Sequence, residues 1–217
     1  MLLKQKSNAR CISAIIGAIV LAFIVQVAAL RSAEAESHVE AATAMIQEVG
    51  QDFLEVLGPD GQSDELQLEK LTGLLQDAIN LDTTGRLILA QNWRRASDEQ
   101  REAYLNLFKP YALDTLASKI RSSSAEIPLE SFTIIKGEPV GKNDVLVSTD
   151  LFWPGYPPYR LDWRLRGLDD GSLQAIDVVV EGVSMVVTQR AEFASVIERQ
   201  GFDGLLSQMR NQVKRQL

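Results

Sequence analysis

Apolar positions recur at spacings of three and four through the first half of the chain and at a spacing of two through much of the second. That switch predicts helices followed by a sheet. Ser37 is placed to cap a first helix, with Val39, Ala42, Ile46, Val49, Phe53 and Val56 on one face and Gly58-Pro59 at its end. A second helix from about Asp64 to Ile79 aligns Leu68, Leu71, Leu75 and Ile79. A third, short one starts at Asp82 or Thr83 and runs through Leu87, Ala90 and Trp93. Ser97-Asp98-Glu99-Gln100 has the form of a capping box, and the fourth helix behind it carries Leu105, Phe108, Ala112, Thr115 and Leu116 on one face, with Pro110 expected to bend it.

From Glu130 the period becomes two. Tyr159 to Arg166 alternates without a break: Tyr159, Leu161, Trp163 and Leu165 on one side, Arg160, Asp162, Arg164 and Arg166 on the other. This is the pattern of a half-buried antiparallel strand. Asp169-Asp170-Gly171 is a hairpin turn into the next strand. Ser131–Lys136 and Asp144–Trp153 read as the two strands before it, and Leu173–Thr188 as the last, bulged at Gly182. Two helices close the chain, about Ala191–Gln200 and Asp203–Gln216, the second capped by Asp203. The expected class is α+β, with helices gathered on one face of a four-stranded antiparallel meander.

The first 35 residues read as an export signal rather than as fold. Lys4, Lys6 and Arg10 precede 20 uncharged residues, Cys11–Leu30, and Ala33-Glu34-Ala35 fits a cleavage site. An uncleaved membrane anchor is the alternative, because 20 residues approach spanning length. Residues 36–217 then form one domain. Cleavage removes four basic residues and one acidic, so the net charge moves from −7 to −10 and the lone cysteine is lost. An exported chain without cysteine is held by its core alone. Its acidity argues against a nucleic-acid partner and against unaided adsorption to anionic lipid.

Catalytic equipment is sparse. One histidine and one cysteine exclude the usual zinc sites and Cys/His dyads. Ser184 sits in Glu181-Gly182-Val183-Ser184-Met185, which lacks the second glycine of a nucleophile elbow. His38, the sole candidate base, is three residues into the mature chain and reads as a solvated terminal residue. Asp177 and Glu181 would share a sheet face, which fits a solvent-facing pair or paired-carboxylate chemistry. The chain offers apolar surface instead. Val145, Val147 and Leu151, then Ile176, Val178 and Val180, extend the Tyr159–Leu165 face, opposite Leu87, Trp93, Leu105, Phe108 and Phe193 on helices. Composition alone does not separate a dry core from a ligand cavity. Trp153-Pro154-Gly155-Tyr156-Pro157-Pro158-Tyr159 is a stiff aromatic connection, suited to gating a pocket, contacting a partner or lying back on the sheet.

Ile176–Val186, Thr188-Gln189-Arg190, Phe193 and Gly201–Leu206 resemble the C-terminal signature of the MlaC family, periplasmic phospholipid-binding proteins also known as the toluene-tolerance family. Asp82, Asn92-Trp93-Arg94, Ser97–Arg101 and Phe108 match it upstream. Leu173 stands where the family often has Trp, and Gln189 where it often has Tyr. A related branch is associated with hopanoid-producing bacteria. The resemblance implies a helical layer on a curved antiparallel sheet enclosing a lipid-tail cavity. It also implies traffic between an inner-membrane lipid ABC-transporter complex and an outer-membrane lipoprotein complex, without covalent chemistry or cofactor. Phe108, Val147, Leu161, Trp163, Val178, Val180 and Phe193 are the expected tail-binding residues; Arg190 and Asp177 are expected to support the fold as an ion pair or cap. Two acyl chains carry roughly 30 methylenes, so leaving them in water would cost on the order of 24 kcal/mol, and a carrier must cover nearly all of them. A periplasmic or anchored adaptor with a dry core, and an enzyme using Asp177 and Glu181, are the rival expectations.

Overall fold

The computed structural model describes residues 36–58, 64–124, 128–168 and 170–214. The chain divides into two compact units, Met1–Glu40 and Ala41–Leu217. Of the first unit residues 36–40 are described; Ser37 and His38 lie in helical backbone and are exposed. The expected export signal at 1–35 lies outside the described residues. Among those described, no helix is long and apolar enough to cross a membrane.

The second unit opens with α1 (residues 41–57), whose buried residues Ala42, Ile46, Val56 and Leu57 follow the predicted stripe. α2 (Asp64–Ala78) buries Leu71 and Leu75. α3 (Leu81–Leu89) begins earlier than expected, because Asn80 is its cap: the Asn80 Oδ1 accepts from the Thr83 N–H at 2.8 Å. The third predicted helix is in fact two. At Ala90 the backbone turns to φ 48° and ψ −115°, and the short α4 (Gln91–Arg95) follows. The Ser97 capping box forms as predicted, with reciprocal 3.2 Å bonds between Ser97 and Gln100. It starts α5 (Asp98–Ser124), a helix that continues through Pro110. Its buried residues are Tyr104, Phe108, Ala112, Leu113 and Ala117.

The sheet is an antiparallel meander, β1 (Ser131–Val140), β2 (Asp144–Phe152), β3 (Tyr159–Gly167), β4 (Leu173–Val180) and β5 (Val183–Ser184), paired in that order. It has five strands where four were expected. The single long last strand is instead a hairpin: Val180 pairs with Val183 across Glu181-Gly182, both at positive φ. Two central residues of positive φ are the requirement of a tight type I′ turn, so Gly182 makes a turn and not a bulge. Bulges lie instead at Ile135 of β1, between Ile134 and Lys136, and at Ile176 of β4, opposite Arg164 and Leu165.

α6 (Met185–Lys214) begins directly after β5 and breaks at Gly201 (φ 72°, ψ 176°). The two closing helices are thus present, the first starting at Met185 rather than Ala191. Asp203 ties the second to α5 by accepting from the Gln100 Nε2 at 3.0 Å.

The helices are held to the sheet at its ends and edge. Gly50 of α1 lies against the Phe132 ring of β1, and the Leu129 N–H donates to Leu57 O at 2.9 Å. At the β4 edge the Asn80 N–H donates to Ala175 O at 2.8 Å and the Thr84 hydroxyl to Ile176 O at 3.2 Å. These bonds satisfy backbone carbonyls that an open edge would leave to solvent.

Candidate functional site

Strand register assembles one apolar face. Val147, Trp163 and Val178 are direct neighbours across β2, β3 and β4, and Leu161 stands opposite Val180. Side chains alternate across a sheet, so these five predicted residues share a face. Val145, Leu165 and Ala175 continue it in one direction. Leu151 and Tyr159 continue it in the other, and β1 adds Phe132 and Ile134, opposite Leu151 and Thr149. Ala175, not Ile176, is the residue in line with Leu165, because Ile176 is the extra residue of a β4 bulge that shifts the register by one.

Burial along this face is graded. Val145, Val147, Trp163, Leu165 and Ala175 are buried, Val147 and Leu165 completely. Leu151, Leu161, Val178, Val180, Phe132 and Ile134 are half-buried, and Tyr159 is 41% exposed. One end is therefore dry core, and the other presents apolar side chains with accessible surface. The aromatic connection borders the accessible end. There Trp153-Pro154-Gly155-Tyr156 forms a turn, with the Tyr156 N–H donating to Trp153 O at 3.1 Å and Gly155 at φ 83°. Proline second and a positive-φ glycine third are the marks of a type II turn. Trp153 meets Tyr159 edge-on at 6.1 Å, while Tyr156 is 63% exposed.

Thr149 is the polar residue within the face, and sequence periodicity did not single it out. Its hydroxyl accepts from the Trp163 Nε1 at 3.1 Å and donates to Leu161 O at 3.1 Å. The indole is thus oriented with its one polar group satisfied.

Phe108 and Phe193 are both buried, but they belong to an aromatic cluster between α5 and α6. Tyr104 stacks on Phe108 at 5.4 Å and meets Phe193 edge-on at 6.2 Å, and Tyr111 lies 5.9 Å from Phe193. Tyr104, absent from the predicted set, is the centre of that cluster. Its apolar ring fits the buried stripe i, i+4 from Phe108, and that spacing is the signal that marks it.

The opposite face of the sheet is charged. Asp150 pairs with Arg160, and Asp144 receives both Arg164 and Arg166 at 2.6–2.7 Å. Burial pushes the Asp144 carboxyl upward in pKa, and the hydrogen bonds and charges of Arg166 and Arg164 more than reverse this, leaving it below the ordinary carboxylate value.

The candidate catalytic groups are engaged in holding the fold. The Asp177 Oδ1 accepts from the Val186 N–H at 3.0 Å and its Oδ2 from the Ser184 hydroxyl at 2.5 Å. Ser184 Oγ in turn accepts from the Val187 N–H at 3.0 Å. Both residues cap the N-terminus of α6, which fulfils the cap expected of Asp177. Arg190 does its work elsewhere: its Nε and Nη2 donate to Leu87 O at 3.1 and 2.8 Å, at the C-terminal end of α3. Glu181 accepts from the Arg160 N–H at 2.5 Å, which steadies a non-glycine residue at φ 48°. Among the described residues no group of His, Cys, Asp and Glu is arranged to hold a metal ion.

The fold has a solved counterpart in the phospholipid-binding protein of Ralstonia solanacearum, determined in complex with a phospholipid. The two share 20% identity and superpose with a TM-score of 0.65, over 80% of this chain and 97% of that one. At that identity the likeness establishes the shared fold. The MlaC protein family matches residues 47–211, from α1 into the last turns of α6. That match takes in most of the chain, the apolar face and the capped start of α6 included, and the protein belongs to the MlaC family.

Proposed function

We propose that this protein is a non-catalytic lipid carrier, binding the acyl chains of a phospholipid on the inner face of its sheet. The observation that carries the proposal is the graded face itself: a contiguous apolar surface that is dry at Val147 and Leu165 and accessible at Leu161, Val178 and Val180. An ordinary core residue gains from complete burial, about 25 cal/mol per Å² of apolar area. Several aligned apolar residues left half-buried therefore suit a surface that a ligand completes. Membership of the MlaC family and the likeness to a phospholipid-bound protein support the same ligand class.

Residues 1–35 act in this reading as an export signal that delivers residues 36–217 to the periplasm as one lipid-binding domain. There the carrier passes lipid between an inner-membrane transporter complex and an outer-membrane lipoprotein complex. Leu161, Trp163, Val147, Val178 and Val180 contact tails, and Phe108 and Phe193 back the cavity from the helical layer.

The test is direct. The mature protein is purified from periplasm in detergent-free buffer, extracted with organic solvent and its lipids identified by mass spectrometry. Near-stoichiometric phospholipid is expected; hopanoid in its place would change the cargo and leave the carrier mechanism standing. Leu161→Asp and Val178→Asp variants are expected to fold and to emerge with little lipid. Full lipid occupancy in both would remove the tail-binding assignment, and a folded wild type that neither carries nor accepts lipid would favour the adaptor.

A further inference from the structure

A chemically different site lies where α3 meets α4. An open depression of about 470 Å³ is lined there by four arginines, Arg86, Arg94, Arg166 and Arg190, together with Thr83 and Gln91 and no acidic residue. None of the tail-binding candidates lines it. On a chain of net charge −7, four guanidinium groups around one concavity form a local inversion of sign.

The positive charge is incompletely neutralised. Arg166 shares the single carboxylate of Asp144 with Arg164. Arg190 is held by the uncharged Leu87 carbonyl. Arg86 lies 5.3 Å from the Trp93 ring centre, with Arg101 at 5.6 Å from the same ring. Two arginines are thus anchored through Nε and Nη2 to protein oxygens, and the exposed guanidinium groups of Arg86, which lies over Trp93, and Arg94 have no carboxylate partner among the described residues.

We propose that this depression is a binding site for a phosphate ester. Guanidinium forks match the paired oxygens of phosphate, and several can share one tetrahedral oxyanion. The volume falls in the range of small-molecule sites and exceeds what a bare inorganic ion fills. Thr83 and Gln91 supply neutral hydrogen-bonding groups for the organic part. The phosphate is not that of the lipid whose tails lie on the inner face. Arg166 stands on the charged face of β3, at the end away from Tyr159 and Leu161. A phosphomonoester in solution and the phosphodiester head group of another lipid present the same chemistry to the site.

Isothermal titration at low ionic strength separates these sources, using inorganic phosphate, glycerol 3-phosphate and sn-glycero-3-phosphoglycerol against the full chain with its lipid in place. Saturable one-site binding of at least one probe is expected, weakened by salt and at least about tenfold weaker in Arg86→Gln/Arg94→Gln. Tighter binding of glycerol 3-phosphate identifies a soluble ester, and tighter binding of the phosphodiester identifies a head group. Both side chains are exposed, so far-UV circular dichroism and lipid content should not change in the double variant. Arg199→Gln, exposed on α6 away from the depression, should bind like wild type. The proposal falls if no probe saturates at millimolar concentration, if the double variant binds unchanged, or if Arg199→Gln loses as much affinity.

Discussion

Tyr104 joins three helices through one side chain. Its ring lies against Phe108 and Phe193, and its hydroxyl donates to Gly85 O at 3.1 Å, so α3 is tied to the α5–α6 cluster. Burial pushes this phenol far up in pKa, and neighbouring Tyr111 adds to the effect, so the group donates throughout the working pH range. Tyr104→Phe should lower unfolding free energy by about 1 kcal/mol in urea melts with the near-UV spectrum retained. Gly85→Ala should cost more than its helical preference returns. The new methyl would stand 2.9 Å from Phe108 Cδ1 and 3.2 Å from Leu105 Cδ2. Overpacking of that kind costs about 1–3 kcal/mol, against about 1 kcal/mol gained from glycine-to-alanine in a helix. A net loss in the same urea melts is the expected result. Asp144 sets the behaviour in acid. Its folded pKa is depressed, so its contribution is complete above the unfolded carboxylate value of about 3.9 and disappears as pH falls through the lower folded value. Asp144→Asn should therefore flatten the acid limb of a pH–stability curve below about pH 4. Because Arg164 and Arg166 are 41% and 34% exposed, the loss at neutral pH should be about 1–2 kcal/mol, below that of a fully buried pair.

Elements were legible where residue chemistry is local. The Ser97–Gln100 box, the alternation of β3 and the chain break at Gly201 all act through neighbours in sequence, and each lies where its pattern places it. Errors arose where backbone geometry or a distant strand decides. Alanine is the best helix former, so nothing in Leu87-Ile88-Leu89-Ala90-Gln91 announces a break, yet Ala90 takes φ 48° and ψ −115°. That break turns α4 so that Trp93 O and Arg94 O meet the Arg101 guanidinium at 2.8 and 3.3 Å. Glu181-Gly182 lacks the Asn or Asp of the common hairpin pair, and its turn depends on Arg160 from β3. The bulge at Ile176 breaks the alternation that Ile176, Val178 and Val180 suggest in β4, and it shows itself only in the register with Arg164 and Leu165 of β3. Within the candidate site the five sheet residues were legible by period two, whereas Thr149 was not, since its role is a contact across strands. The strain at Ala90 has a measurable consequence. Positive φ with this ψ is a conformation that suits glycine, so Ala90→Gly should stabilise the protein by about 1 kcal/mol despite glycine's larger entropy in the unfolded chain. A lower melting temperature for this variant would mean that the Ala90 methyl is needed where it is.

At the scale of the whole molecule, the stability of the protein and the occupancy of its apolar face should be one linked quantity. The apolar face of the sheet is dry at Val147 and Leu165, and it ends at half-buried Leu161, Val178 and Val180. A ligand that covers those residues binds the folded chain and not the unfolded one, so it must stabilise by mass action. At a free ligand level near one hundred times the dissociation constant the gain is about 2.7 kcal/mol. For a chain of this length that corresponds to a rise in melting temperature of roughly 5–10 °C. Delipidated protein should accordingly melt at a lower temperature than protein carrying lipid and should bind an environment-sensitive apolar dye, and readdition of phospholipid should reverse both changes. Val178→Asp should melt near the delipidated wild type and fail to respond to added lipid, because a carboxylate at this half-buried position opposes tail contact. Identical melting with and without lipid would place the bound molecule outside this face. The dye and the melting curve report on different things, exposed apolar surface and folded-state free energy, and the carrier mechanism requires them to move together.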